Sequence, residues 1–449
     1  MTARRVLLGG LGAVRDALAV AALRGAGLDA ERLPPPTDLG LARARVLGNH
    51  GQCNPAQYAV GTVLERARAA PEGPAAFARR HAWLVPASCG PCRLAAFPLE
   101  WARVLEGAGL AELQVELFDQ FAFVPALAAG AARATPTRGL LLALVAGDVL
   151  ETLGHRLRPF VEDAEALAQV LSHGTAALAS AFEERREPRP VLREVAALAR
   201  ALPTRFDRVL PRVLLVGEPW TTLTDGDPSY AIASRLAELG AEVDAPRLVD
   251  WLRSIAWQRS GATLKAVEER RAAARAVRGL GAAWRLLARA AGLEEPLEEP
   301  ARLGALAAPW YPAEVRGGSS FLEVGRALAA AQARSAHLVL SLKPFGCLPS
   351  SALSDGVLAP VLARQQDGPT FLALETSGDS HASVDSRLEM ALHSAALRAM
   401  GELRAACDGR GVRAEAVRAA LRAKAPCHLT GPRAYACTAA ELVARGACP

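Results

Sequence analysis

Short apolar runs alternate along this chain with longer amphipathic ones. Arg5–Gly9 has the make-up of a brief buried strand, Gly10 and Gly12 turn it, and Val14 to Leu23 follows with helical periodicity. Gly25 and Gly27 end that helix, and a second extended piece leads into Pro34-Pro35-Pro36, completing a β–α–β opening. The pattern then predicts a helix from near Cys53 to Ala69, a strand over His81–Pro86, a turn at Ser88–Pro91, a helix through Gly107 and a strand over Leu113–Leu117. From about Ala129 to Leu202 it is nearly all helical. A second unit opens with a strand over Arg212–Val216, a loop at Gly217-Glu218-Pro219, a helix over Tyr230–Leu239 and a strand at Glu242–Val243. Trp251 to Leu293 reads as helix, and the Glu- and Pro-rich residues 294–303 as an exposed connection. Last come a strand over His337–Leu342, a loop over Lys343–Pro349, a helix over Ala352–Gln365, a strand over Pro369–Leu374 and a helix over Arg387–Cys407.

Strands alternating with helices predict an α/β fold, its sheets mostly parallel and its active residues in loops at the carboxyl ends of strands. The chain divides into an α/β domain over 1–128, a helical segment over 129–205, a second α/β unit over 206–300 and a C-terminal α/β unit over 301–449. No short-period repeat is visible.

Composition narrows the function classes. With 449 residues, 51% of them hydrophobic and 22% charged, the chain reads as globular, with room for two or three cores. The net charge of +6 is almost entirely arginine, since the lysines are Lys265, Lys343 and Lys424. No concentrated basic stripe accompanies it, so no nucleic-acid partner is expected. The most apolar stretch, Gly139 to Leu150, is short for a membrane span and contains Asp148. The first residues imitate a signal peptide, but Arg15 and Asp16 cut the apolar run, and the expected setting is cytoplasmic. There, the eight cysteines would serve metal binding, redox chemistry or plain burial rather than disulfides.

The strongest local signal is Cys89-Gly90-Pro91-Cys92, between a strand and a helix. Two thiols three positions apart at a helix start can hold one metal or cluster, and the helix N-terminus favours the thiolate. Cluster or metal ligands, a thioredoxin-like dithiol and incidental burial all stay open for this pair. Cys53, in Gly48-Asn49-His50-Gly51-Gln52-Cys53-Asn54-Pro55, and Cys347, in Lys343-Pro344-Phe345-Gly346-Cys347-Leu348-Pro349, also sit where a Gly- and Pro-bearing loop enters a helix. A lone cysteine is ordinarily a small core residue. Three such loops together suggest one thiolate cage, four cysteines being enough for a [4Fe-4S] cluster and three leaving one iron open. Cys407, Cys427, Cys437 and Cys448 lack such loops, although Cys427-His428 with Cys437 has zinc-ligand chemistry. Gly10-Leu11-Gly12 imitates a dinucleotide fingerprint, but Arg15 replaces the third glycine and a structural turn is expected. No Gly-x-x-x-x-Gly-Lys-Ser/Thr phosphate loop is present. Glu218 and Glu375, at strand ends, are candidate acids, bases or hydrogen-bond acceptors, with helix capping and ion pairing as the plainer roles. Arg387 and Glu389 open a helix and read as surface residues; His50 reads as a solvated loop position beside Cys53.

With these loops assembled, the chain resembles the 2-hydroxyacyl-CoA dehydratase D-component superfamily. It is most similar to the C-terminal part of the large CoA-enzyme activase-related proteins, and also similar to benzoyl-CoA reductase subunits and double-cubane cluster proteins. The resemblance rests on Gly51-Gln52-Cys53-Asn54-Pro55, Cys89-Gly90-Pro91-Cys92-Arg93, Gly147-Asp148 with Arg158-Pro159-Phe160 and Glu162, Val216-Gly217-Glu218, Pro344-Phe345-Gly346-Cys347-Leu348-Pro349, and Glu375 with Arg387-Leu388-Glu389, in that order. It implies flavodoxin-like α/β domains with a cluster between them, ligated by Cys53, Cys89, Cys92 and Cys347, either a [4Fe-4S] or a double-cubane cluster. It also implies electrons from an actin-like ATPase activator that carries its own iron–sulfur cluster, and a small-molecule or acyl-CoA substrate that is reduced or dehydrated. A homodimer or heterodimer would fit such a component. A non-catalytic electron carrier or activase scaffold, and a zinc or dithiol protein using Cys89 and Cys92, are the alternatives.

Overall fold

The fold is described from a computed structural model, over residues 4–87, 92–119, 136–260, 267–293, 297–311, 320–365, 368–376, 381–417 and 435–446. It contains two four-stranded sheets, parallel throughout. The first comprises β1 (Arg5–Leu8), β2 (Ala30–Arg32), β3 (His81–Ala87) and β4 (Gln114–Asp119), in the order β2-β1-β3-β4. Between them run α1 (Ala13–Gly25), α2 (Asp38–Leu47), α3 (Asn54–Arg68), α4 (Pro74–Arg80) and α5 (Phe97–Gly107). Among the described residues three helices follow: α6 (Pro136–Leu157), α7 (Ala164–Glu183) and α8 (Arg189–Ala201). The second sheet, β5 (Arg212–Gly217), β6 (Glu242–Asp244), β7 (Leu338–Pro344) and β8 (Thr370–Thr376), has the order β6-β5-β7-β8. The same topology therefore occurs twice, first strand beside second and third, fourth beyond the third, as in the flavodoxin-like order.

Alternation along each central strand feeds two faces. Leu7 enters one core with Val63, Trp83 and Trp101, while Leu8 enters another with α1, α6 and α7. In the second sheet, Val213 and Leu215 point to one core and Leu214 and Val216 to the other. Buried faces on both sides explain why these strands are continuous apolar runs.

Residues 206–300 and 301–449 contribute two strands each to this one sheet, and so are parts of one unit. A helical excursion separates their strands: α9 (Pro219–Leu223) and α10 (Ile232–Glu238) lie before β6, and α11 (Leu248–Ser260), α12 (Val267–Ala290), α13 (Pro300–Ala307) and α14 (Ser320–Gln332) lie before β7. After β7 come a π-helical turn over Leu348–Asp355 and α15 (Gly356–Ala363); after β8 come α16 (His381–Arg410) and α17 (Thr438–Ala444). The connection expected to be exposed over 294–303 is mixed in its described part: Glu299, Ala301 and Arg302 are exposed, Leu297, Pro300 and Leu303 are buried, and Pro300 starts a helix. The helical stretch expected over Trp251 to Leu293 contains α11 and α12, which pack on each other. The helix expected from Tyr230 starts at Ile232, because Tyr230 and Ala231 take left-handed backbone angles. That expected over Ala352–Gln365 is a π-helical turn followed by a short α-helix, and that expected from Arg387 already starts at His381.

The two units meet at the carboxyl ends of their strands. A Cβ on Gly10, just past β1, would stand 2.8 Å from Trp220 Nε1, just past β5. The backbone N–H of Asp38 donates to Asp227 Oδ2 at 2.7 Å, and Asn54 Nδ2 donates to the Thr376 carbonyl at 2.8 Å. The deepest tie is Asp148 on α6. Its carboxylate accepts Arg15 Nε at 2.7 Å and the backbone N–H groups of Leu248 and Val249, at the start of α11, at 3.0 and 2.7 Å. Both side chains are almost fully buried, 3% and 0% exposed. Among the described residues no helix is long and apolar enough to cross a membrane.

Replacing Asp148 with Ala would leave Arg15 buried beside a lost partner and the first turn of α11 uncapped. A loss of about 3–5 kcal/mol in unfolding free energy is expected, read from urea denaturation. A loss below about 1 kcal/mol would mean the Asp148 carboxylate does not join the units.

Candidate functional site

Cys53 closes the loop after α2 and precedes α3, whose first turn contains Pro55; a proline is at home there because that turn has spare N–H groups. The loop is held from several sides. Gln57 Nε2 donates to the Asn49 carbonyl at 2.9 Å, Gly51 N to Asn49 Oδ1 at 2.8 Å, and Arg93 to the Gly51 carbonyl. Cys92 precedes a short 3₁₀ turn over Arg93–Ala96 that leads from β3 into α5. Cys347 follows β7 and precedes the π-helical turn. Because β3 and β7 occupy the same place in their sheets, Cys92 and Cys347 follow equivalent strands of the two units.

Gly346 brings the second unit onto the first. Its φ of +80° suits glycine, and a Cβ there would stand 3.6 Å from Cys53 Cα, 3.7 Å from Cys53 Cβ and 3.5 Å from Arg93 Nη1. Cys53 and Cys347 are buried and Cys92 half-buried. Glu218, directly after β5, acts on all three. Its carboxylate accepts the N–H groups of Trp220 and Thr221 at 3.0 and 2.7 Å and the Thr221 hydroxyl at 2.8 Å, so it caps α9. Burial pushes the Cys53 thiol up to about 12, with the negative charges of Glu218 and Cys92 adding to it. Burial and then Glu218 raise Cys347; burial raises Cys92, where Glu218 adds a smaller push against a backbone hydrogen bond. Glu218 is itself raised by burial, against its three hydrogen bonds.

Of the candidate residues, Cys53, Cys92, Cys347 and Glu218 thus share one region at the junction of the units. Cys89 lies outside the described residues, as do Cys427, His428 and Cys448. Cys407 and Cys437 are buried in a separate core near α16 and α17. Glu375 is exposed at the end of β8, where it accepts a hydrogen bond from Ser351 at 3.1 Å. Arg387 donates to the Ala373 carbonyl at 2.6 Å and His50 is exposed. In the Gly10–Gly12 turn the amides of Gly10 and Leu11 donate to Asp16 at 2.9 and 3.0 Å. A buried carboxylate thus holds the N–H groups that a phosphate-binding turn presents to its ligand.

Sequence reasoning gave no role to Glu323, Lys343 or Arg93. Glu323 is buried on α14, accepts Ser350 Oγ at 2.8 Å, and bears electrostatically on Cys347 and Glu218. Its signal was a lone carboxylate in the apolar run Phe321-Leu322-Glu323-Val324. Lys343, at the end of β7, is buried and pairs with Asp355; burial lowers its pKa against the pull of Glu375, Glu323 and Cys347.

The donor set fits a thiophilic metal centre. Cys53 lies against the Cys347 turn and within electrostatic reach of Cys92, and two buried polar atoms, Gln52 Oε1 and Thr376 Oγ1, have no hydrogen-bond partner among the described residues. Among the described residues no group of three or more His, Cys, Asp or Glu is gathered as for a single metal ion. One tetrahedral ion with bonds of about 2.3 Å would hold thiolates within about 4 Å of one another. A cubane offers a separate iron to each thiolate and spreads them further apart.

No protein-family model matches the chain, and no curated protein matches it.

With no metal bound, Cys53 should remain a thiol at neutral pH. Its alkylation in the native metal-free protein near pH 8 should be at least about a hundredfold slower than in the unfolded chain. The native rate should still climb about tenfold per pH unit near pH 10, where the unfolded thiol has levelled off. Mass spectrometry of peptides labelled at a series of pH values reads both; a native rate that levels off near pH 9 would contradict the raised pKa.

Proposed function

We propose that this chain is an iron–sulfur protein in which Cys53, Cys92 and Cys347, together with Cys89, hold a [4Fe-4S] cluster between two α/β units. The approach of the Cys347 turn to Cys53 across the domain junction carries the reading, because the two cysteines are 294 positions apart (347 − 53) and belong to different sheets. Cys89 enters through its spacing to Cys92, three positions on in the same β3–α5 connection. When bound, such a cluster supplies one-electron chemistry at low potential.

The chain's own residues set the conditions for that chemistry. Burial of Cys53 and Cys347 excludes water, while Glu218 and Glu323 add negative charge, which disfavours accepting an electron and so lowers a potential. Thr376 and Gln52 can hydrogen-bond a sulfide or a substrate beside Cys53. The resemblance described above extends the reading to function. Electrons would come from an ATP-hydrolysing activator of the actin-like ATPase superfamily, and a small or CoA-bound substrate would be reduced or dehydrated.

Purified without oxygen, the protein should be brown and contain about four irons per chain; about eight would favour a double cubane. Cys347→Ser should lower the iron content markedly. Full iron content in that variant, or zinc in place of iron in the parent, would overturn the reading. Mixed with an activator of this class and ATP, the protein should be reduced and turn over candidate acyl-CoA substrates. Reduction without turnover would leave it as an electron carrier.

A further inference from the structure

A cavity of about 470 Å³ lies between α6, α7 and the segment from Thr222 to Ser234, where three other hollows measure only 10 to 20 Å³. None of Cys53, Cys92, Cys347 or Glu218 lines it. Its size is that of a small-molecule site.

The charges lining it do not cancel locally. Arg158 is half-buried; among the described residues its one hydrogen bond is from Nη1 to Ser234 Oγ at 2.6 Å and no carboxylate pairs with it. Four of its five N–H donors remain to be matched. Elsewhere on the lining Arg15 pairs with Glu151, and behind it with Asp148, which leaves Asp225 as the lining carboxylate with no ion pair among the described residues. Asp225 accepts only the Ala13 N–H among the described residues. Burial pushes Glu151 up to about 8, against Arg15, so it adds little negative charge near neutral pH. His155, held down to about 4 by burial and then by Arg158 and Arg15, supplies no positive charge near neutral pH. The wall also carries backbone strain, because Ala231 lines the cavity with a φ of +48° directly after Tyr230 at +51°. Non-glycine residues adopt such angles at a cost, and they cluster at ligand sites.

A guanidinium and a carboxylate, Arg158 and the exposed Asp225, each without an ion pair among the described residues and both on the lining of one cavity, call for an occupant with both charges. We propose that this cavity binds a small zwitterion of the amino-acid type, its carboxylate on Arg158 and its ammonium beside Asp225. Leu150, Leu171 and Ile232 would pack against its hydrocarbon body. The site is separate from the thiols, and its test does not depend on what they hold.

Calorimetric titration of the full-length protein decides the matter, using linear amino acids of increasing length and, as controls, monocarboxylates and monoamines of the same lengths. At least one zwitterion should bind at least about tenfold more tightly than either matched control. Arg158→Gln should weaken it by about tenfold or more while the metal content stays unchanged. Thr175→Phe, which fills the cavity without removing a charge, should do the same and serves if Arg158→Gln does not fold. Equal affinity for a control, full affinity in Thr175→Phe, or no binding of any zwitterion at millimolar concentration would overturn the proposal.

Discussion

One buried carboxylate holds the two halves of this protein in register. Asp148 reaches from the helical layer to Arg15 of the first unit and to the opening amides of α11 in the second. Each partner answers part of its charge, and each would be poorly satisfied without it. The arrangement suits a junction that must be specific rather than merely sticky, since an apolar contact tolerates sliding and a carboxylate shared among three donors does not. The approach of Gly346 to Cys53 depends on that register. A shift of a few ångströms between the sheets would separate the thiols of one unit from that of the other.

Much of this was legible in the chain. Strand positions followed from apolar runs bounded by glycine and proline, and the prediction that chemistry gathers at the carboxyl ends of strands locates Cys92, Cys347 and Glu218. Less legible was which strands share a sheet. β6 and β7 lie almost a hundred residues apart in sequence, and the helices between them carry their own amphipathic pattern, so a boundary near residue 300 looked natural. The contribution of α14 was hidden for another reason. Ser320–Gln332 is buried nearly throughout, so it lacks the polar face by which a helix announces itself, and Glu323 went with it. The left-handed angles of Tyr230 and Ala231 had no signal at all, because neither residue is one that prefers them.

The chemistry at the junction is a balance of opposed charges in a poorly solvated place. Acidic groups, Glu218 and Glu323, stand near the thiols, while Arg93 approaches from the Cys92 side and Lys343 from β7. Without a cation, sulfur there stays protonated, because burial and the carboxylates both oppose the thiolate. A metal centre reverses this by supplying the positive charge itself, so binding would release protons and draw together segments that otherwise rest on weaker contacts.

The repeated strand order has a further consequence. Two separate copies of one chain, related by a twofold axis, must present the same side chains at matching turns. Fusion of two such units in a single polypeptide lifts that restriction. Here the turn after the third strand carries a pair of cysteines, Cys89 and Cys92, in one half and a single one, Cys347, in the other. The two halves can therefore differ in the side chains they bring to the junction, a freedom closed to any strictly symmetric pair.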